Sequence, residues 1–341
     1  MKRDDIMIYP KFLKEKDTIG VTAPSCGCKD KIDRDKMMHA KENFISLGYQ
    51  IRLTDNCKIA NDVRSCDAIT RARELENLFL DNDVSTIMCL SGGEFLMEVL
   101  SVLRYDIIYN NPKWIQGYSD PTGLLFTITT NLDIATIYAS NFKTFSMKEW
   151  HKSLVDNLEL LKGNIVLQNN FDLYESYNNN NTSYDEYNLN SKVKWQSLTN
   201  EEVNIKGRLI GGCLDVLVNL IGTKYDKTKY FLEKYKKDGF IWYFDIFDKT
   251  NEDIIRIMWQ LKEAGWFKYA KAILFGRLIE EKSYCNISFK QALIESLNEL
   301  NIPILYNLDI GHVAPRITLI NGSIIEINYK DNKGLIKTFL E

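Results

Sequence analysis

Histidine is nearly absent from this chain: three in 341 residues, at positions 39, 151 and 312. No HExxH and no paired CxxC accompanies them, so the sequence offers no recognisable zinc motif and no metal is expected. The seven cysteines, at 26, 28, 57, 66, 89, 213 and 285, are odd in number, and only Cys26 and Cys28 stand close together. That pattern argues for free thiols in a reducing compartment rather than a disulfide framework. GxGxxG and GxxxxGK[ST] are both missing, which leaves the usual nucleotide loops without support. Neither charge is in excess: 43 lysines and arginines face 46 aspartates and glutamates. A net charge of −3 gives no broad field for nucleic acid or an anionic membrane, and neither partner is expected. No apolar run approaches a membrane span, and the opening MKRDDIMIYPKFLKEKD is too broken by charges for a signal-peptide core. A cytoplasmic location is expected.

The chain is rich in alternation. Its length suggests two domains, and its 45% hydrophobic and 26% charged content is that of a globular protein. Strand-like runs lie at 18–24 (TIGVTAP), 49–53, 84–90, 113–118 and 134–140, with helical patterns at 33–47, 67–80, 95–103 and 122–132 between them. Helical crossovers of this length imply parallel strands, whose functional loops gather at their carboxyl ends. Three loops qualify: APSCG, SGGEF and YSDPT. Residues 163–204 differ, being rich in asparagine and tyrosine with a polar tract at Asn178 to Asn181. They read as a linker or as a loop bordering a site. Alternation resumes with strands at 204–212, 240–246, 270–276 and 303–311 and helices near 251–263 and 287–300. A hairpin is expected over 317–329, turning at Asn321-Gly322. The resulting expectation is an α/β protein with an N-terminal domain over 1–165, a linker over 166–204 and a mixed α/β C-terminal domain over 205–341.

Four positions invite chemistry. Ser119 sits between a buried strand and a helix that Pro121 opens, near the positive end of the helix dipole. It is a candidate nucleophile, or else Ser119 or Asp120 is an N-cap. Gly92 and Gly93 follow a strand and can expose backbone N–H groups to an anion, or form an ordinary turn. His312, in DIGHVAP, follows another strand. Asp245 ends the apolar run WYFD, with Asp248 and Asp309 as rival acids.

Taken together, APSCG, LSGGEF, GYSDPTGL, GRLIGGCLDVL, WYFDIFDKTNEDIIRIMWQLKEAGWF and DIGHVAPRITLINGS resemble the LD-carboxypeptidase family of serine peptidases. The family includes the muramoyl-tetrapeptide carboxypeptidases and the microcin C self-immunity peptidases. The resemblance spans roughly residues 15 to 330. It implies a Rossmann-like parallel-sheet domain, a second α/β domain and an active site at their interface. It also implies a catalytic triad of Ser119, His312 and an acid, the family's glutamate being replaced here by Asp245. The oxyanion hole maps to the backbone of Asp120 and Gly93, with Gly92 beside it. No cofactor is implied. The implied substrate is a small peptide, the L,D bond of a murein tetrapeptide, or a peptidyl-nucleotide of the microcin kind, and a homodimer is compatible with the family. A binding protein that keeps the pocket without efficient hydrolysis is the alternative from a different class.

Overall fold

The computed structural model describes residues 6–176, 182–199 and 201–340; the tract Asn178 to Asn181 lies outside them. The first half builds five parallel strands: β1 (Thr18–Thr22), β2 (Gln50–Leu53), β3 (Val84–Cys89), β4 (Trp114–Gly117) and β5 (Thr136–Tyr138). β1 and β4 are buried at every position, as strands covered by helices on both faces must be. Helices Lys31–Ser46 and Ala68–Leu80 carry crossovers, each started by an aspartate whose carboxylate accepts a backbone N–H: Asp30 from Asp33 and Asp67 from Thr70. The helix expected over 95–103 is shortened to Met97–Leu100, and a further helix not expected from the sequence follows at Tyr105–Asn110. Arg104 leaves the helical region there, and its N–H donates to the Glu76 carboxylate at 2.8 Å.

The second half forms an eight-stranded sheet around four parallel strands. Short pieces come first: β6 (Gln168–Asn169), β7 (Leu173–Tyr174), β8 (Ser191–Lys192) and β9 (Gln196–Ser197), of which β7 and β8 pair only with each other. The parallel set is β10 (Val203–Cys213), β11 (Phe240–Asp245), β12 (Ala270–Gly276) and β13 (Ile304–Leu308). β14 (Leu319–Asn321), β15 (Ile324–Lys330) and β16 (Lys333–Phe339) close the chain. The order is β6-β16-β15-β10-β11-β12-β13-β9, so the segment 166–204 supplies both edge strands.

The hairpin expected at Asn321-Gly322 does not form. β14 pairs with β5 and extends the first sheet, whereas β15 pairs with β10 and β16 in the second. Gly322 alone takes a positive φ of 89°, and the Ser323 N–H donates to the Ile320 carbonyl at 3.1 Å, as in a type II turn. That turn splays its flanking strands, whereas the two-residue hairpin turns, I′ and II′, need a positive φ at their first central residue, here Asn321. The Asn321 side chain is spent on Gly211 N–H and the Tyr243 hydroxyl. The true hairpin is β15–β16, turning through Asp331 and Asn332 at φ 50° and 63°.

Helix Thr122–Leu132 is buried from Thr122 to Thr130 and touches both sheets. Its first residue meets the end of β10: Thr122 Oγ1 accepts the Cys213 N–H at 3.0 Å. The two domains therefore meet at the carboxyl ends of β4 and β10–β11, beside Ser119 and Asp245.

Candidate active site

Ser119 follows β4 and has φ +70°, a conformation that costs a side-chain-bearing residue energy and that here turns its hydroxyl out of the strand-to-helix corner. Gly92 makes room for it, since a Cβ at that position would lie 3.0 Å from Ser119 Oγ. Neither Ser119 nor Asp120 caps the following helix: Pro121 is its N-cap and no side chain bonds there. Asp120 turns the other way. Its buried carboxylate accepts from the Ser25 hydroxyl and from the Leu96 N–H at 2.9 Å. The loops APSCG, SGGEF and YSDPT are thereby tied together, and burial raises the Asp120 carboxyl above its usual range.

Across the domain boundary, His312 Nε2 lies 3.0 Å from Ser119 Oγ. Its other ring nitrogen, Nδ1, lies 2.7 Å from Asp245 Oδ2. Asp245 is fully buried, and its Oδ1 accepts the backbone N–H of His312 at 3.1 Å. A carboxylate one methylene shorter than glutamate reaches the imidazole because the backbone comes to it. Gly311, at φ +89°, packs so closely that a Cβ there would sit 1.9 Å from Asp245 Oδ1. The ring N–H is not aligned with Oδ2, however, and Nδ1 completes no regular hydrogen bond.

Two side chains that motif reading passed over hold this geometry. Tyr138, at the end of β5, donates its hydroxyl to Asp245 Oδ2 at 2.5 Å and accepts weakly from the Ser119 N–H at 3.4 Å. Burial, with the Asp245 charge beside it, raises the phenol far above its ordinary value, so it remains a donor. Arg316 is buried, and among the described residues no carboxylate is in hydrogen-bond contact with it. It donates to the Gly311 carbonyl at 2.6 Å and to Ser140 Oγ at 3.1 Å, and its guanidinium lies 4.4 Å over the Tyr118 ring. Tyr118 in turn packs edge-on to His312. A tyrosine at a strand end and an arginine four residues past a histidine were visible in the sequence; their partners were not.

The remaining candidates fall elsewhere. His39 stacks on Tyr184 and its Nδ1 meets the Ser183 carbonyl, while His151 caps helix Lys152–Leu161. Asp248 pairs with Lys282 at 2.7 Å on the surface, and Asp309 pairs with Arg277. A cavity of about 520 Å³ opens over Ser119 and His312, walled by Gly92, Gly93, Asn141 and Phe247. A cleft of about 610 Å³ beside Asn169 and Tyr329 contains neither serine nor histidine. The arrangement over Ser119 can deprotonate a hydroxyl and hold the imidazolium that results.

Comparison with known proteins places this geometry in context. The family profile of the LD-carboxypeptidase N-terminal domain matches residues 19–139, and that of the C-terminal domain matches residues 206–327. The microcin C7 self-immunity protein MccF of Escherichia coli is 28% identical over 279 residues, covering 78% of this chain and 77% of its own. A protein of Bacillus subtilis named "Probable murein peptide carboxypeptidase" is 24% identical over 332 residues, 96% of this chain and 94% of its own. Among solved structures, an MccF-like protein from Bacillus anthracis superposes with a TM-score of 0.82 at 25% identity, covering 98% of this chain and all of the other. MccF in complex with aspartyl sulfamoyl adenosine gives a TM-score of 0.81 at 23% identity over 98% of this chain and 99% of the other, a likeness of fold.

Proposed function

The chain belongs to the LD-carboxypeptidase family, and from that premise we propose that it is a serine carboxypeptidase whose nucleophile, base and acid are Ser119, His312 and Asp245. The observation that carries the reading is the approach of His312 to both partners, Nε2 at 3.0 Å from Ser119 Oγ and Nδ1 at 2.7 Å from Asp245 Oδ2. His312 Nε2 takes the Ser119 proton as Oγ attacks the carbonyl before a C-terminal residue. The oxyanion forms toward the backbone N–H groups of Asp120 and Gly93, with Gly92 beside them. His312 then passes its proton to the leaving amine, and water returns through the same steps to release the acyl group. Asp245 steadies the imidazolium, and Tyr138 and the His312 N–H keep Asp245 in place. Protein groups supply every role in this scheme.

The substrate proposed is the L,D bond of a murein tetrapeptide, cleaved in the cytoplasm, consistent with the name of the Bacillus subtilis relative. No helix among the described residues is long and apolar enough to cross a membrane. A second reading, cleavage of an aminoacyl nucleotide, draws on Phe247, which is 48% exposed with its ring centroid 4.7 Å from that of His312. Such a ring can stack on a base. Mass-spectrometric product analysis with a murein tetrapeptide and an aminoacyl sulfamoyl adenylate, side by side, tests both. Release of the terminal amino acid from the tetrapeptide supports the first; cleavage of the adenylate alone replaces it with the second. No cleavage of either, with no labelling of Ser119 by a fluorophosphonate, leaves a binding protein.

A further inference from the structure

We propose that Cys213, Asp245 and His312 form a binding site for a thiophilic divalent cation of the zinc type, and that its occupation stops hydrolysis. One donor atom from each residue lies within 4.8 Å of the other two. Around tetrahedral zinc, donors at about 2.1–2.3 Å stand ~3.4–3.8 Å from one another, so shifts of about an ångström bring the three to one ion. Thiolate, imidazole and carboxylate are a donor set that zinc accepts and that magnesium and calcium do not select.

A second observation points the same way. His312 Nδ1 is buried at the heart of the cluster with no regular hydrogen bond, although Asp245 is 2.7 Å away. The relay leaves this nitrogen incompletely satisfied, and a metal ion would complete it. Cys213 and His312 border the cavity over Ser119, and Asp245 lies buried behind them. The thiol has no part in the proton relay. Its sulfur lies 3.8 Å from Asp215 Oδ2.

The binding step balances simply. The cation forms bonds to Sγ, Nδ1 and a carboxylate oxygen; the thiol proton leaves to solvent, and the imidazole proton moves from Nδ1 to Nε2. That tautomer is the inhibitory consequence. Nε2 now carries a proton and cannot accept one from Ser119. The inhibition rests on the serine-peptidase reading above, whereas the binding does not.

Cobalt titration of the full chain tests the site without turnover. The expected result is a thiolate-to-cobalt charge-transfer band with visible bands of tetrahedral intensity, lost in both Cys213→Ala and Cys213→Ser. Circular dichroism and thermal melting establish that each variant is folded. Alongside, zinc inhibition of each protein is read relative to its own metal-free rate, with about tenfold or more weakening expected in the variants. No thiolate band in the parent, or a band unchanged in both folded variants, overturns the site. A band that depends on Cys213 while zinc inhibits parent and variants equally overturns the inhibitory step. If the band forms but no family substrate is cleaved, the site stands and the peptidase reading falls.

Discussion

Two aspartates, Asp245 and Asp309, occupy equivalent places in the second sheet and do opposite things. Asp245 ends β11 and Asp309 directly follows β13, both at the carboxyl rim of the parallel strands, and both are fully buried. Asp309 faces a permanent cation: Arg277 donates to Oδ1, while Oδ2 takes the Trp195 indole N–H at 2.8 Å and the Phe171 N–H at 3.2 Å. Asp245 faces a phenol and an imidazole. A carboxylate locked to a guanidinium can hold loops together but cannot answer a charge that comes and goes. In the proposed triad, one beside an imidazole answers the imidazolium that forms next to it. Burial and strand position are shared; the partner decides the role.

The comparison breaks most sharply through Ser119, on which any catalytic meaning of Asp245 depends. Ser119→Ala is expected to fold and to lower kcat by about 10⁴–10⁶, with loss of fluorophosphonate labelling. Near-parental turnover by the folded variant ends the serine-peptidase assignment. Next comes the exchange of each aspartate for asparagine. Asp245→Asn is expected to lower kcat by about 10²–10⁴, because the amide favours the wrong imidazole tautomer, with a smaller effect on the melting temperature. Asp309→Asn is expected to do the reverse. It puts an amide where Arg277, Trp195 and Phe171 donate to carboxylate oxygens, at a cost of about 1–3 kcal/mol in denaturant unfolding, while kcat of the protein that remains folded changes little. If Asp309→Asn instead removes kcat and Asp245→Asn does not, the two roles are exchanged.

A pH effect of intermediate size sharpens the contrast. Burial pushes the Asp309 carboxyl up to about 6 despite the opposing pull of Arg277. Its value is therefore higher in the folded chain than in the unfolded one. As pH falls through that value the folded state takes up the proton first, so acidification from about pH 7 to about pH 5 favours folding at this group. The difference in unfolding free energy between parent and Asp309→Asn should widen over that interval; a flat difference removes the argument. Smallest is Asp245→Glu. The longer acid can line up with the Nδ1–H that Asp245 meets off-axis, and parental or modestly higher kcat is expected. A large loss would mean that Gly311 leaves no space for the extra methylene. Exhaustive chelation should leave hydrolysis unchanged, and loss restored by zinc would contradict the triad.

Much of this was legible in the sequence for a local reason. β12 and the helix Asn251–Glu263 fall on the residues their patterns mark, because β12 is buried continuously from Ala272 to Gly276 and the helix along one face. Ser119, Asp245 and His312 stand at the ends of apolar runs, where a parallel sheet presents its functional groups. What escaped depends on distance in the chain. Tyr138 matters through Asp245, 107 residues away, and Arg316 through Ser140, 176 residues away. The turn at Asn321-Gly322 misled because its local signal is that of a hairpin, while the pairing of β14 is decided by the free edge of β5.

That borrowed strand bears on how the chain is made. As it leaves the ribosome, the N-terminal half has every strand of its sheet except β14, and β5 waits as an exposed border with unpaired backbone groups. Its mate is residues 319–321, translated only after all of the second sheet but β15 and β16. A contact of such sequence separation closes late, so the nascent chain carries an adhesive edge for most of its synthesis. Chaperone dependence should therefore concentrate on Thr136–Tyr138, and a chain truncated before residue 319 should aggregate through it. Tyr138, whose hydroxyl donates to Asp245, lies on that edge and pairs with Leu319 once it closes.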